Sequence, residues 1–208
     1  MKKAIAICFF IFGAIFFAQA QVDSSVAQTA SGFQLKNIDF SSGRSALGSG
    51  IYIIFNSSSQ KYGASQITFA QDKILINHFF SIGGKKKIHL GPSAGYFKNV
   101  PYAGAIMTTS PFKGFSTLHW AGCSFGQPEG SWDVEPSFLF LVNVVNYDIW
   151  RFRVSHTVIS FQKDAPKHVS CLRYTQKVSS DFSAYTDIAY DITNKTQLLR
   201  LGVNWKIN

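Results

Sequence analysis

A single antiparallel, up-and-down β-barrel of the transmembrane type, with about 10–12 strands, is the fold this sequence predicts. Three observations carry it. From Gly32 to the C-terminus, segments of about ten residues alternate in polarity, with short turn signals between them. Helix-type spacing is nearly absent. Charges recur in mid-strand on one face while apolar side chains hold the other, as expected of a barrel with a polar lumen and a lipid-facing exterior. Segments of this length match the roughly 9 to 11 residues that a tilted strand needs to cross a bilayer, whereas soluble strands average about five or six. A soluble β-sandwich is the alternative, because it would use the same apolar faces as its core.

Composition narrows the classes further. The 208 residues are 46% hydrophobic and 15% charged, which fits one folded domain and excludes a disordered chain. No internal stretch has the length and apolarity of a membrane-spanning helix. Lys2 and Lys3, the apolar run Ala4 to Phe17 and the small-x-small pattern Ala18-Gln19-Ala20 predict a cleaved signal peptide over residues 1–20. Its removal takes two lysines from the formal charge of +9, leaving +7. Residues 21–31 are small and polar and read as an N-terminal lead, and 32–208 as the barrel domain. The remaining cysteines, Cys123 and Cys171, could form one bond or serve as two small apolar side chains. No CxxC, HxxxH or HExxH spacing is present, so neither a metal nor a cofactor is expected. Export and the spread of basic residues argue against nucleic acid as a partner.

The strands are expected at 33–40, 49–57, 62–70, 73–82, 86–97, 102–109, 114–125, 135–146, 149–161, 168–178, 181–192 and 195–207. The final hairpin is the clearest. Leu199, Leu201, Val203, Trp205 and Ile207 share one face, and Arg200, Gly202, Asn204 and Lys206 the other. Before it, Phe182, Ala184, Thr186, Ile188, Tyr190 and Ile192 alternate with Asp181, Ser183, Tyr185, Asp187, Ala189 and Asp191. Thr193-Asn194-Lys195 joins the two, with Asn suited to the positive φ of a tight turn. Trp150, Phe152, Val154 and Val158 alternate with Arg151, Arg153, Ser155 and Thr157, with His156 interrupting the apolar side. Ser137 to Tyr147 is more uniformly apolar, over Phe138, Leu139, Phe140, Leu141 and Val142, and is expected to be buried on both faces there. With the N-terminus in the periplasm, the longest connections, 41–48, 126–134 and 162–167, fall on the outer side and the short ones on the inner side.

In this style the chain from Gly32 to Asn208 resembles small bacterial outer-membrane β-barrel proteins, most clearly over Phe182 to Ile207. Such barrels often end in an aromatic residue; here the last residue is Asn208 and the nearest aromatic is Trp205. The resemblance implies an outer-membrane location, outer-membrane lipid as a partner and a non-catalytic structural, porin-like or surface-interaction role.

The inward face carries the candidate site, a charge network of Arg151, Arg153, Arg173, Lys177, Asp181, Asp187, Asp191, Arg200 and Lys206. Neighbouring antiparallel strands would set basic beside acidic residues. Such a network either fills a narrow lumen or lines a small pore that prefers anions. The loop 126–133, with Glu129, Trp132 and Asp133, and Glu135 just beyond it, is the place for a protein partner at the cell surface. An enzyme alternative also stands. His168-Val169-Ser170 has the His-x-Ser spacing of the lipid A deacylase family, which would make Ser170 a nucleophile beside His168. Cys171 stands where that family has Asn, and both glutamates of the chain, Glu129 and Glu135, come earlier in the sequence. His78, His89 and His119 are scattered over separate strands and read as isolated polar residues.

Overall fold

The computed structural model describes residues 32–45, 48–59, 61–82, 88–97, 100–126, 135–162 and 164–207. The predicted signal peptide and the whole N-terminal lead lie outside these residues. Among the described residues are twelve strands: β1 (Gln34–Ser45), β2 (Gly48–Ser59), β3 (Gly63–Ala70), β4 (Lys73–Ile82), β5 (Ile88–Phe97), β6 (Val100–Thr109), β7 (Phe115–Gly126), β8 (Glu135–Ile149), β9 (Phe152–Phe161), β10 (Lys167–Lys177), β11 (Phe182–Asp191) and β12 (Thr196–Lys206). Each pairs antiparallel with its neighbours in sequence, and β1 pairs with β12 from Asn37↔Lys206 to Gly43↔Arg200, closing the barrel. That closure removes the sandwich alternative, since a sandwich leaves open sheet edges.

The two faces alternate as a membrane barrel requires. Outward, Ile188, Leu199 and Leu201 are 55–60% exposed in the isolated chain, an apolar belt that only lipid would cover. At the end holding Gln34 and Lys206, Tyr147, Trp150, Phe152, Tyr174, Phe182 and Trp205 form an exposed aromatic girdle. Phe152 and Tyr174 touch within it, with ring centroids 5.3 Å apart.

Inward, one side of the lumen is apolar. Ile106, Trp120, Val142 and Ile159 are all buried and lie in one cross-strand row over β6, β7, β8 and β9. Tyr102, Trp120 and Phe140 meet edge to face around them, with centroids 4.9–5.6 Å apart. Gly122, opposite Phe140, leaves that ring the space a Cβ would occupy.

Three expectations need correction. The stretch 41–48 is not a loop: β1 and β2 run through it, with register maintained down to Ser45↔Gly48. Its Ser and Gly residues read as turn formers. In a closed barrel, however, the backbone ladder holds them, and Gly43 and Gly50 take φ of 135° that few other residues adopt. With that loop gone, the connections opposite the termini are two to eight residues long and those beside the termini two to five, so the expected asymmetry rests on 127–134 alone.

The uniformly apolar strand is not buried on both faces. Leu139, Leu141 and Val145 face outward, while Val142 joins the luminal apolar row. Finally, the positive φ of the last hairpin falls on Lys195 (53°) rather than Asn194. Asn194 instead donates from its backbone and side chain to Asp191, at 3.0 and 2.9 Å.

Leu201 sits at the centre of β12 on the belt. Replacing it with Arg should destabilise the barrel by about 2–4 kcal/mol at the bilayer midplane, measured by urea unfolding in lipid vesicles. Asn204→Arg, on the half-buried inward face, serves as the contrasting variant, and equal losses at the two positions would contradict the assignment of faces.

Candidate functional site: a basic lumen

The barrel register brings the charged residues into one row. Asp148 lies opposite Arg153, Arg153 opposite Arg173, Arg173 opposite Asp187, and Asp187 opposite Arg200. The row then meets Gly43 and Gly50, where no side chain competes for space with Arg200. The one like-charge juxtaposition, Arg153 with Arg173, is relieved because each turns to its own carboxylate. Arg153 grips Asp148 through Nε and Nη2 at 2.6 and 3.0 Å. Arg173 grips Asp187 through the same atoms at 2.6 and 3.0 Å. Arg200 reaches the other side of Asp187, at 2.8 and 2.5 Å. Forked guanidinium contacts of this kind are the stronger class of ion pair.

Asp187 is only 4% exposed, so its two arginines supply the compensation that a buried carboxylate needs. The Arg173 guanidinium also lies 4.0 Å from the Tyr185 ring centroid. Tyr185 donates to Asp39 at 2.7 Å, tying β11 across β12 to β1. Gly202 makes this possible, because a Cβ there would overlap the Tyr185 ring.

The other predicted residues divide by position. Asp191 is buried and pairs with Lys167 at 3.0 Å, near the end opposite the termini. Arg151 is in the two-residue turn between β8 and β9, exposed, stacked over Trp150 and donating to Gln176 at 2.7 Å. Lys177 and Lys206 are exposed near the terminal end, and Asp181 lies in the turn before β11. Glu129, Trp132 and Asp133 lie outside the described residues; Glu135 opens β8 opposite Gly126.

Sequence reading missed Asp148, which it placed in a turn, as well as Asp39, Lys167 and Lys73. Lys73 pairs with Asp72 at 3.0 Å with its side chain fully buried. Asp148 joins the row, and Asp39 meets Tyr185, only through cross-strand register, which is weakly encoded when strand ends are uncertain.

The serine proposed as a nucleophile shares the outward parity of Leu172. Ser170 Oγ lies 3.0 Å from His156 Nδ1, and His156 Nε2 lies 3.4 Å from His168 Nδ1. The contact to Ser170 thus comes from His156 rather than His168. The trio ends on histidine, with no carboxylate in its hydrogen bonds among the described residues, so it lacks the acid that would orient a base. The scattered histidines are not isolated: His78 meets Ser65 at 2.8 Å, His89 meets Ser81 at 3.1 Å and His119 meets Asn143 at 2.8 Å. Cys123 and Cys171 are both free.

Inside the barrel is a cavity of about 310 Å³. Its wall includes Arg44, Lys73, Arg153, Arg173 and Arg200 with Asp187, and of these cations Arg153 and Lys73 are already paired with Asp148 and Asp72.

Neither a protein-family model nor a curated protein matches the sequence. Among solved structures, the chain is similar to the NanC porin in a rhombohedral crystal form, at 13% identity and TM-score 0.51, covering 84% of this chain and all of that one. It is also similar to a KdgM porin in complex with disordered oligogalacturonate, at 10% identity and TM-score 0.50, covering 83% and 99% of the two chains. At these identities the likeness is one of fold. Together with the closed twelve-strand topology and the apolar belt, it makes this chain a β-barrel of the transmembrane type, with the fold of those two structures.

Asp187→Asn would leave two luminal arginines facing each other. The barrel should lose on the order of 2–3 kcal/mol, less than the 3–5 of a fully buried pair because both arginines keep partial contact with luminal water. Denaturant unfolding reads this directly. A loss no larger than that of Asp148→Asn, whose partner is exposed, would show that the buried triad contributes nothing special.

Proposed function

We propose that the chain is a non-catalytic outer-membrane barrel whose lumen admits small anions. The observation that carries this reading is the cavity wall, where Arg44, Arg173 and Arg200 face Asp187, and Arg153 and Lys73 stand beside them with their own carboxylates. Rings or rows of arginine and lysine select anions by lowering the energy of the permeating charge in a confined pathway. The triad supports the reading in a second way. Asp187 fixes Arg173 and Arg200 in place as a rigid pair of guanidinium groups, with Asp39, held by Tyr185, offsetting part of their charge. The KdgM structure of similar fold was solved with oligogalacturonate, a polyanionic sugar chain. A ligand of that sign suits the basic wall here. Outer-membrane lipid is the partner of the apolar belt.

Purified protein in planar bilayers under a potassium chloride gradient should give a reversal potential on the chloride side. Arg200→Gln should move it toward the potassium side, because the wall loses one positive charge while Asp187 keeps Arg173 as its partner. A cation-selective wild-type channel, or no conductance at all, would end this reading.

A further inference from the structure

The basic wall is only half of the cavity. Across from it the lining is Leu75, Ile106, Leu118, Trp120, Val142 and Val144. Ile106, Trp120 and Val142 are fixed in their row by cross-strand pairing, and Leu118 lies opposite Val144 in the next one. Trp120 is held edge to face by Tyr102 and Phe140, with centroids 5.4 and 4.9 Å away. Its indole N–H is buried without a hydrogen-bond partner. An apolar surface facing a basic one across about 310 Å³ is a poor container for water alone. It is less suited to a ligand that carries hydroxyls on every side, since only those near Thr68, Asn77 and Asn146 would find a partner and those turned to the aliphatic side chains would lose water for nothing. A ligand with one charged end and one apolar flank satisfies both walls, and the volume is at the small end for a ligand pocket.

We propose that the lumen selects carboxylates with an aromatic or branched apolar body over fully hydroxylated acids of equal charge. This rests on the anion reading above and names the class of anion. The carboxylate lies against the arginine side at Arg173 and Arg200. The flank lies on Ile106, Trp120 and Val144.

The test uses the intact protein in planar bilayers, with chloride current as the readout and phenylacetate or glucuronate added at equal concentration. Phenylacetate should inhibit the current at roughly tenfold lower concentration, as expected if it buries ~60 Å² more apolar surface at about 25 cal/mol/Å². Leu118→Asn and Val144→Thr each put a polar group on the apolar wall, the second with almost no change of shape, and both should bring the two potencies together. Heat-modifiable migration in gels reports whether each variant has folded. If glucuronate matches or exceeds phenylacetate while chloride selectivity is retained, the apolar-flank proposal falls and the anion reading stands. If the channel shows no preference for chloride over potassium, both fall together.

Discussion

Hydrocarbon offers no hydrogen bonds, and that constraint organises the molecule. Every backbone N–H and C=O at membrane depth must find a partner in the chain itself, and in a β-protein only a closed sheet provides one for all of them. The β1–β12 seam is therefore the decisive contact, even though the residues that make it lie at opposite ends of the sequence. It also explains why a stretch as poor in strand formers as Ser41 to Ser45 is strand. Its side chains contribute little, but leaving its amides unpaired at the seam would be costly. The glycine there gains a further role, since its lack of a side chain opens room beside Arg200.

Closure also turns sequence alternation into a lumen. Once strand register is set, residues far apart in the chain fall into rows around the inner wall. One row is apolar, from Ile106 to Ile159, and another is charged, from Asp148 to Arg200. Two aromatic–glycine pairs, Phe140 with Gly122 and Tyr185 with Gly202, let large rings lie flat on the inner surface. The inside is thus neither an ordinary hydrophobic core nor a uniformly wet channel. It is a narrow space with opposed chemistries, and its polar side is locked by pairs such as Arg173–Asp187.

The number, order and approximate ends of the strands were legible because period-two alternation and strand length are local properties. The inward placement of Arg153, Arg173, Asp187 and Arg200 was legible for the same reason. Their partners were less so. Asp148 read as a turn residue because Tyr147-Asp148 looked like a break, while the turn is formed by Trp150, with φ of 54°, and Arg151. The pairing of Asp39 with Tyr185 spans almost the whole chain, and no local pattern can encode it. The apolar strand β8 was misread because an apolar inner face was attributed to burial in a core on both sides. Lipid covers one side and the luminal apolar row the other.

The outward polar residues show how far alternation can bend without breaking the fold. His119, Asn143, His156 and Ser170 share the parity of the lipid-facing side chains, and a simple reading would count each as an error. Each instead spends its hydrogen-bonding capacity on a neighbour across the strand pair: His119 on Asn143, and His156 on Ser170. A lone imidazole or hydroxyl in hydrocarbon would cost several kcal/mol, but a mutually satisfied couple presents lipid with little unmet polarity. Such couples can form only where register brings two polar residues face to face. The same register that assembles the luminal charge row therefore also makes polar residues tolerable on the outer wall.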